Sequence, residues 1–212
     1  MKDKSEISIM LKEAGILFAI TLLAGLLLGF VYELTKEPIR IQQEKAINEA
    51  CMAVLPAAND STVFTEYQYT VDAQMEREFE RMKEDGVTIG KVYEAMNGSQ
   101  FLGYVVESTS SKGYGGNIVL YVGITTDGTV GGVSILEIKE TAGLGMEAPN
   151  VLAPQFAGKK VDHFVFTKNG ATEENEVDAI TSATITTRAV TNAVNGALDF
   201  THTFLKGGEV NE

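Results

Sequence analysis

The chain has 212 residues, a formal charge of −12 and 44% hydrophobic residues, enough for one ordinary domain with its own core beside a membrane segment. So acidic a chain is repelled by nucleic acid and by anionic lipid headgroups, and neither is an expected partner. The one cysteine, Cys51, excludes an internal disulfide, an all-cysteine iron–sulfur site and a Cys-rich zinc site, and two histidines, His163 and His202, are too few for most catalytic metal centres. No metal ligands are expected, and chemistry must come mainly from an organic cofactor or from partner chains.

After a short polar stretch over residues 1–13, the chain runs nineteen residues without a charge, Ala14 to Tyr32. As a helix this spans roughly 28 Å, close to the ~30 Å hydrocarbon thickness of a bilayer. Tyr32 stands where an interfacial aromatic belongs. A signal peptide would have a shorter apolar core and a small-x-small ending, which Gly29-Phe30-Val31-Tyr32 is not. The expectation is a retained single-pass anchor over 14–34. Lys2, Lys4 and Lys12 precede it and Lys36, Arg40 and Lys45 follow it, so the charges alone give no orientation.

Pro38 marks a break, after which Ile39, Gln43, Ala46, Ile47, Ala50, Cys51, Val54 and Leu55 predict an amphipathic helix ending at Pro56, a helical connector within 35–60. A single domain is expected over 61–212. Val63, Tyr67, Tyr69 and Val71 alternate like an exposed strand, and Gln74 to Asp85 reads as a charged helix stopped by Gly86. Strand-like runs follow at Thr88–Ala95, Phe101–Glu107, Ile118–Thr125 and Thr129–Ile138, with hairpin signals at Asn97-Gly98 and Asp127-Gly128. A short strand near Val161–Thr167 precedes a helix that starts at Thr184. Hairpins flanked by helices predict an α+β fold with a mainly antiparallel sheet.

Two glycine-rich stretches interrupt the sheet: Gly113-Tyr114-Gly115-Gly116, and Glu140-Thr141-Ala142-Gly143-Leu144-Gly145. Each is either a tight turn or backbone that approaches a flat ligand closely. A dinucleotide-fold reading of Gly143 to Ala148 fails, because no parallel unit surrounds it and Pro149 falls early in the helix it would open.

The most telling segment is Asp178 to Arg188, with hydroxyls at Thr181, Ser182, Thr184, Thr186 and Thr187 where the last helix begins. Its apolar or small stripe is Ile185, Ala189, Ala193, Ala197 and Thr201. Free N–H groups and the positive dipole end of a first turn favour an anion, and Arg188, four residues after Thr184, would add a charge on the same face. The plain alternative is an N-cap, with Asp178, Thr181 or Ser182 as the capping residue. A serine or threonine hydrolase finds no positioned base, since His163 and His202 have no acidic partner at a recognisable spacing.

Thr181-Ser182-Ala183-Thr184 resembles the flavinylation motif of the FMN-binding domain family, with Asp178 three residues ahead. Gly113 to Gly116 looks like that family's glycine-aromatic stretch, and Glu140 to Gly145 is similar to its Glu-Thr-Pro-Gly-Leu-Gly loop. In length and anchor the chain most resembles the G subunits of Rnf electron-transport complexes, with the longer C subunits of sodium-pumping NADH:quinone oxidoreductases as the close runner-up. Two residues depart from the pattern: Ser182 replaces a glycine and Ala142 a proline. If position 182 needs a positive φ, serine there costs on the order of 1 kcal/mol.

The resemblance implies FMN joined to Thr184 through a phosphoester, its phosphate near Thr181, Ser182 and Ala183. It implies Leu144 against the flavin ring, Thr141 and Gly143 at its polar edge, Glu140 in the same loop, and Tyr114 as a stacking partner. None of these is expected to be catalytic, because a separate flavin transferase makes the bond. The implied role is an electron relay in a membrane complex that moves electrons between ferredoxin and NAD while exporting Na⁺ or H⁺, with other membrane and redox subunits as partners and the domain outside the cytoplasm. An anchored flavoprotein outside any pump, and a structural component that has lost its flavin, remain as alternatives.

Overall fold

The computed structural model describes residues 2–205, so Met1 and the end of the predicted domain, 206–212, lie outside it. The side chains of Lys2 and Lys4, used in the charge tally, are likewise outside the described residues. Two compact units are present, Met1–Ile47 and Asn48–Glu212.

The described residues of the first unit are all helical, part of a helix α1 that spans Lys2–Val54. Its most apolar 18-residue window has a mean hydropathy of 2.5 and no buried residue, so by length and composition it can cross a membrane. The predicted break at Pro38 does not occur, because α1 passes through the proline. A proline inside a helix removes one N–H, here the donor to the Leu34 carbonyl. Around Pro38 the helix is exposed, and Arg40 pairs with Glu37 and Glu44, supporting the turns from the proline onward.

The second unit begins with the last turn of α1, whose Cys51 and Val54 are fully buried, as is Leu55 just beyond it. Five antiparallel strands form one meander in chain order: β1 (Thr62–Glu66), β2 (Val87–Asn97), β3 (Gln100–Ser110), β4 (Ile118–Thr125) and β5 (Val130–Glu137). Alternation sorts β4 between the two faces: Ile118, Leu120, Val122 and Ile124 point into the main core, and Tyr121 and Gly123 point to the back. Gly123 pairs across strands with Gly132. A Cβ on Gly123 or Gly131 would collide with the Val54 carbonyl oxygen, so these glycines form a floor for the end of α1. Burial beside this floor raises the Cys51 thiol to about 12, which leaves it an inert core residue.

The front face of the sheet packs on α3 (Thr184–Phe200). Ala189, Val190, Ala193, Val194 and Ala197 are buried against the core strands, and Ser108 donates a 2.8 Å hydrogen bond to the Ala193 carbonyl. The helix α2 (Ala73–Glu84) is capped by Asp72, which accepts the Gln74 and Met75 N–H groups.

Two expectations differ in extent. The strand pattern over Val63–Val71 continues past β1 only as irregular chain, since Tyr67 and Tyr69 turn inward onto Tyr104 and Phe200. The strand near Val161 shrinks to β6 (Val165–Thr167), which pairs in parallel with an unpredicted β7 (Glu176–Asp178). Three-residue strands carry too little periodicity to be read from sequence.

Candidate functional site

A recess of about 530 Å³ lies where the first turn of α3 meets the loops after β3 and β5. Its lining includes Tyr114, Glu140, Thr141, Leu144, Gly145, Ser182, Ala183, Thr184, Ile185 and Thr186. Ligand pockets typically span roughly 300–1,000 Å³, so a nucleotide-sized molecule is within its range. Three sequence motifs separated by some 25 to 45 residues thus share one wall, because β4 and β5 form a hairpin that returns the chain to the same edge.

Glu140 ties these segments together. One carboxylate oxygen accepts the Gly115 N–H at 3.2 Å and the other accepts the Thr186 hydroxyl at 2.9 Å. Space for this clamp requires small neighbours. A Cβ on Gly145 would sit 2.6 Å from Thr186 Oγ1 and 2.8 Å from Glu140 Cβ, and one on Gly113 would sit 2.8 Å from Glu140 Oε1. The close approach inferred from these glycines is therefore, in part, chain against chain around Glu140. Within the loop, Thr141 accepts the N–H groups of Leu144 and Met146 on its carbonyl. Gly143 turns the loop at φ +72° and Leu144 is left 36% exposed on the recess wall.

The start of α3 differs from the N-cap expectation. The N-cap is Ala183, with no side-chain cap. Asp178 points elsewhere and accepts the Ala171 N–H. The opening N–H groups of the helix are therefore not claimed by a side chain, the condition under which a first turn serves an anion. Ahead of it, Ser182 has φ +62°, the one non-glycine residue with positive φ among those described. Position 182 is thus a left-handed position, the conformation in which glycine is free and serine is strained.

The five hydroxyls separate cleanly. Thr186 is buried and donates to Glu140, and Thr187 is buried and donates to the Ala183 carbonyl. Thr181, Ser182 and Thr184 make no side-chain hydrogen bond among the described residues, and of these Ser182 and Thr184 line the recess. Of the other predicted site residues, Thr181 and Gly143 flank the lining residues in sequence, and Tyr114 lines the recess while 72% exposed.

Arg188 does not line the recess: its guanidinium lies 5.7 Å from the Phe166 ring centroid. Four residues bring it to the same side of α3 as Thr184, but a long side chain follows its best partner, here an aromatic face. Ile185, assigned to the buried stripe, is 52% exposed and lines the recess instead. The stripe becomes buried only from Ala189 onward, where the sheet covers the helix. Gly145 and Thr186 belong to the site and were visible in sequence as motif positions.

Residues 113–199 match the model of the FMN-binding domain, and residues 1–54 match that of the RnfG N-terminal region. The G subunit of the Na⁺-translocating ferredoxin:NAD⁺ oxidoreductase complex of Acetobacterium woodii is 32% identical over 92% of this chain and 93% of its own. The G subunit of the proton-translocating ferredoxin:NAD⁺ oxidoreductase complex of Clostridium ljungdahlii is 33% identical over 92% of this chain and 97% of its own. Among solved structures, that of Shewanella oneidensis NqrC aligns with a TM-score of 0.47 at 22% identity, covering 66% of this chain and 79% of that one.

Proposed function

The chain belongs to the family of G subunits of ion-translocating oxidoreductase (Rnf) complexes, and from that premise we propose that it carries FMN through a phosphoester on Thr184 and relays electrons within a membrane ferredoxin:NAD⁺ oxidoreductase. The observation that carries this reading is the uncommitted Thr184 hydroxyl at an uncapped helix start, inside a nucleotide-sized recess. Bound there, FMN would supply the redox chemistry, while the protein sets its position and potential.

The chain's own residues fit such a group. Phosphate is served by the first-turn N–H groups of α3. Leu144, Ile185 and Tyr114 give the recess apolar surface for a flat ring. In the attachment step Thr184 Oγ1 bonds to the phosphorus of a flavin nucleotide pyrophosphate while the pyrophosphate P–O bond breaks. The hydroxyl proton leaves with the departing nucleotide. A separate flavin transferase catalyses this, so the chain needs no catalytic residue of its own. A covalent tether lets the ring stay accessible for electron exchange with neighbouring chains of the complex, since retention no longer depends on deep burial. The domain faces the extracytoplasmic side, with α1 as the anchor in the cell membrane.

The test is the intact mass of the full chain purified from cells that hold the transferase. The proposal expects an excess of about 438 Da, FMN less water, that disappears in Thr184→Ala. An unmodified mass in the wild-type chain contradicts it.

A further inference from the structure

Thr187 lies outside the recess, fully buried one helical turn beyond Ala183. Its hydroxyl nevertheless reaches both ends of the turn that leads into Thr184. It accepts the Ile180 N–H at 3.1 Å and donates to the Ala183 carbonyl at 2.9 Å. The Ala183 N–H in turn closes on the Ile180 carbonyl at 3.0 Å. Inside this turn Ser182 holds φ +62°, the backbone state that a side chain disfavours. A left-handed residue persists where its surroundings over-determine it. No side-chain hydrogen bond of Ser182 itself does so among the described residues, which leaves the backbone bond and Thr187.

An ordinary buried helical threonine would bond back four residues and stop. Thr191 and Thr201 do that, donating to the carbonyls of Thr187 and Ala197. Thr187 adds the Ile180 N–H, a partner outside the helix.

We infer that Thr187 is a positioning residue for the attachment at Thr184. Its hydroxyl locks the Ile180–Ala183 turn, and with it Ser182 and the start of α3, in the geometry that a transferase reads. The inference rests on the reading of Thr184 as the esterified residue. Thr187 is not a reactant in that step: the bond forms at Thr184 Oγ1, the donor's pyrophosphate bond breaks, and the proton departs with the leaving nucleotide.

The experiment co-expresses the full chain with the flavin transferase and follows the flavinylated fraction over time by intact mass. Six forms are compared: wild type, Thr184→Ala, Thr187→Val, Thr187→Ser, Ser182→Gly and the Ser182→Gly/Thr187→Val pair. Valine keeps the volume and loses both hydrogen bonds, and the initial rate is expected to fall by roughly tenfold. Serine keeps the hydroxyl and restores the rate. Glycine at 182 adopts the left-handed turn unaided, so the double variant is modified as fast as Ser182→Gly alone. A merely structural threonine would lower the melting temperature of both valine variants without this rescue of rate. Wild-type rates in Thr187→Val overturn the inference, as does a double variant much slower than Ser182→Gly. Should Thr187→Val fail to fold, the second comparison decides by itself. A wild-type chain that gains no mass, or a Thr184→Ala chain that still gains it, overturns the reading of Thr184 and the inference with it.

Discussion

Ser182 is where local chemistry and geometry conflict most openly. The position adopts φ +62°, and the side chain there is exposed and without a hydrogen-bond partner among the described residues. Replacing it by glycine removes the Cβ clash of the left-handed conformation, and Ser182→Gly is expected to raise stability by about 0.5–1 kcal/mol, read from denaturant midpoints at unchanged slope. Glycine's extra freedom in the unfolded chain trims the gain. A lower midpoint would mean that the serine makes a compensating contact. This strain was foreseeable in sequence only as a condition, since the family motif has a glycine where this chain has a serine. The φ had to be seen. The hydroxyls tell a similar story: five could be counted in the chain, but only the fold separates Thr186 and Thr187, spent on Glu140 and Ala183, from Thr184.

At the scale of elements, Glu140 is the residue whose role changes most. By resemblance it belongs to a cofactor-binding loop. In the structure it joins the loop after β3 to the loop after β5 and to α3, as a positioning group. Truncation in Glu140→Ala removes two hydrogen bonds to a charged acceptor that is only partly buried, and a loss of about 1–3 kcal/mol is expected in equilibrium unfolding. Gly145→Ala should act through the same clamp, because its Cβ would press on Thr186 Oγ1 and Glu140 together. Combining the two variants should therefore cost less than the sum of each alone, a non-additivity measurable in a double-mutant cycle. Full additivity would separate Gly145 from the clamp. The strands around this site were legible from their alternation and from the Asn-Gly and Asp-Gly turns, and the meander β2 to β5 follows them closely. The helix through Pro38 and the short β6–β7 pair were not. One needs the solvent exposure of α1 and the other its tertiary neighbours, and neither is encoded in a local pattern.

Taken whole, the domain carries its ionisable groups on opposite sides of the stability balance. Glu107, on the back of the sheet, is raised first by burial, with Lys91 and Tyr121 pulling it down. A raised carboxyl favours the protonated folded state, so its contribution is present at low pH and is lost as pH rises through its elevated pKa. Asp127 behaves the other way. The hydroxyls of Thr125 and Thr129 and the Thr129 N–H hold it down at about 2, so its contribution is present above the ordinary carboxylate range and fades as pH falls toward that value. The melting-temperature difference between Glu107→Gln and wild type should therefore grow in favour of the variant from pH 4 to pH 8. A difference that shrinks over that window would mean that Glu107 is held charged. The acidic composition and the apolar amino-terminal run set the broad class of the molecule at once. The meeting of three motifs around one recess was implied by their family resemblance, and the hairpin return of β4 and β5 is its physical cause.

One oxygen atom, Thr184 Oγ1, carries the proposed function. Trypsin should release the segment Asn169–Arg188 from the native membrane-extracted chain, and fragmentation can locate a modification within it. This peptide is expected to carry about 438 Da of flavin nucleotide, retained on fragments that contain Thr184 and absent from those ending at Ala183. An unmodified peptide from a chain that is still yellow, or a nucleotide located on Ser182, would contradict it.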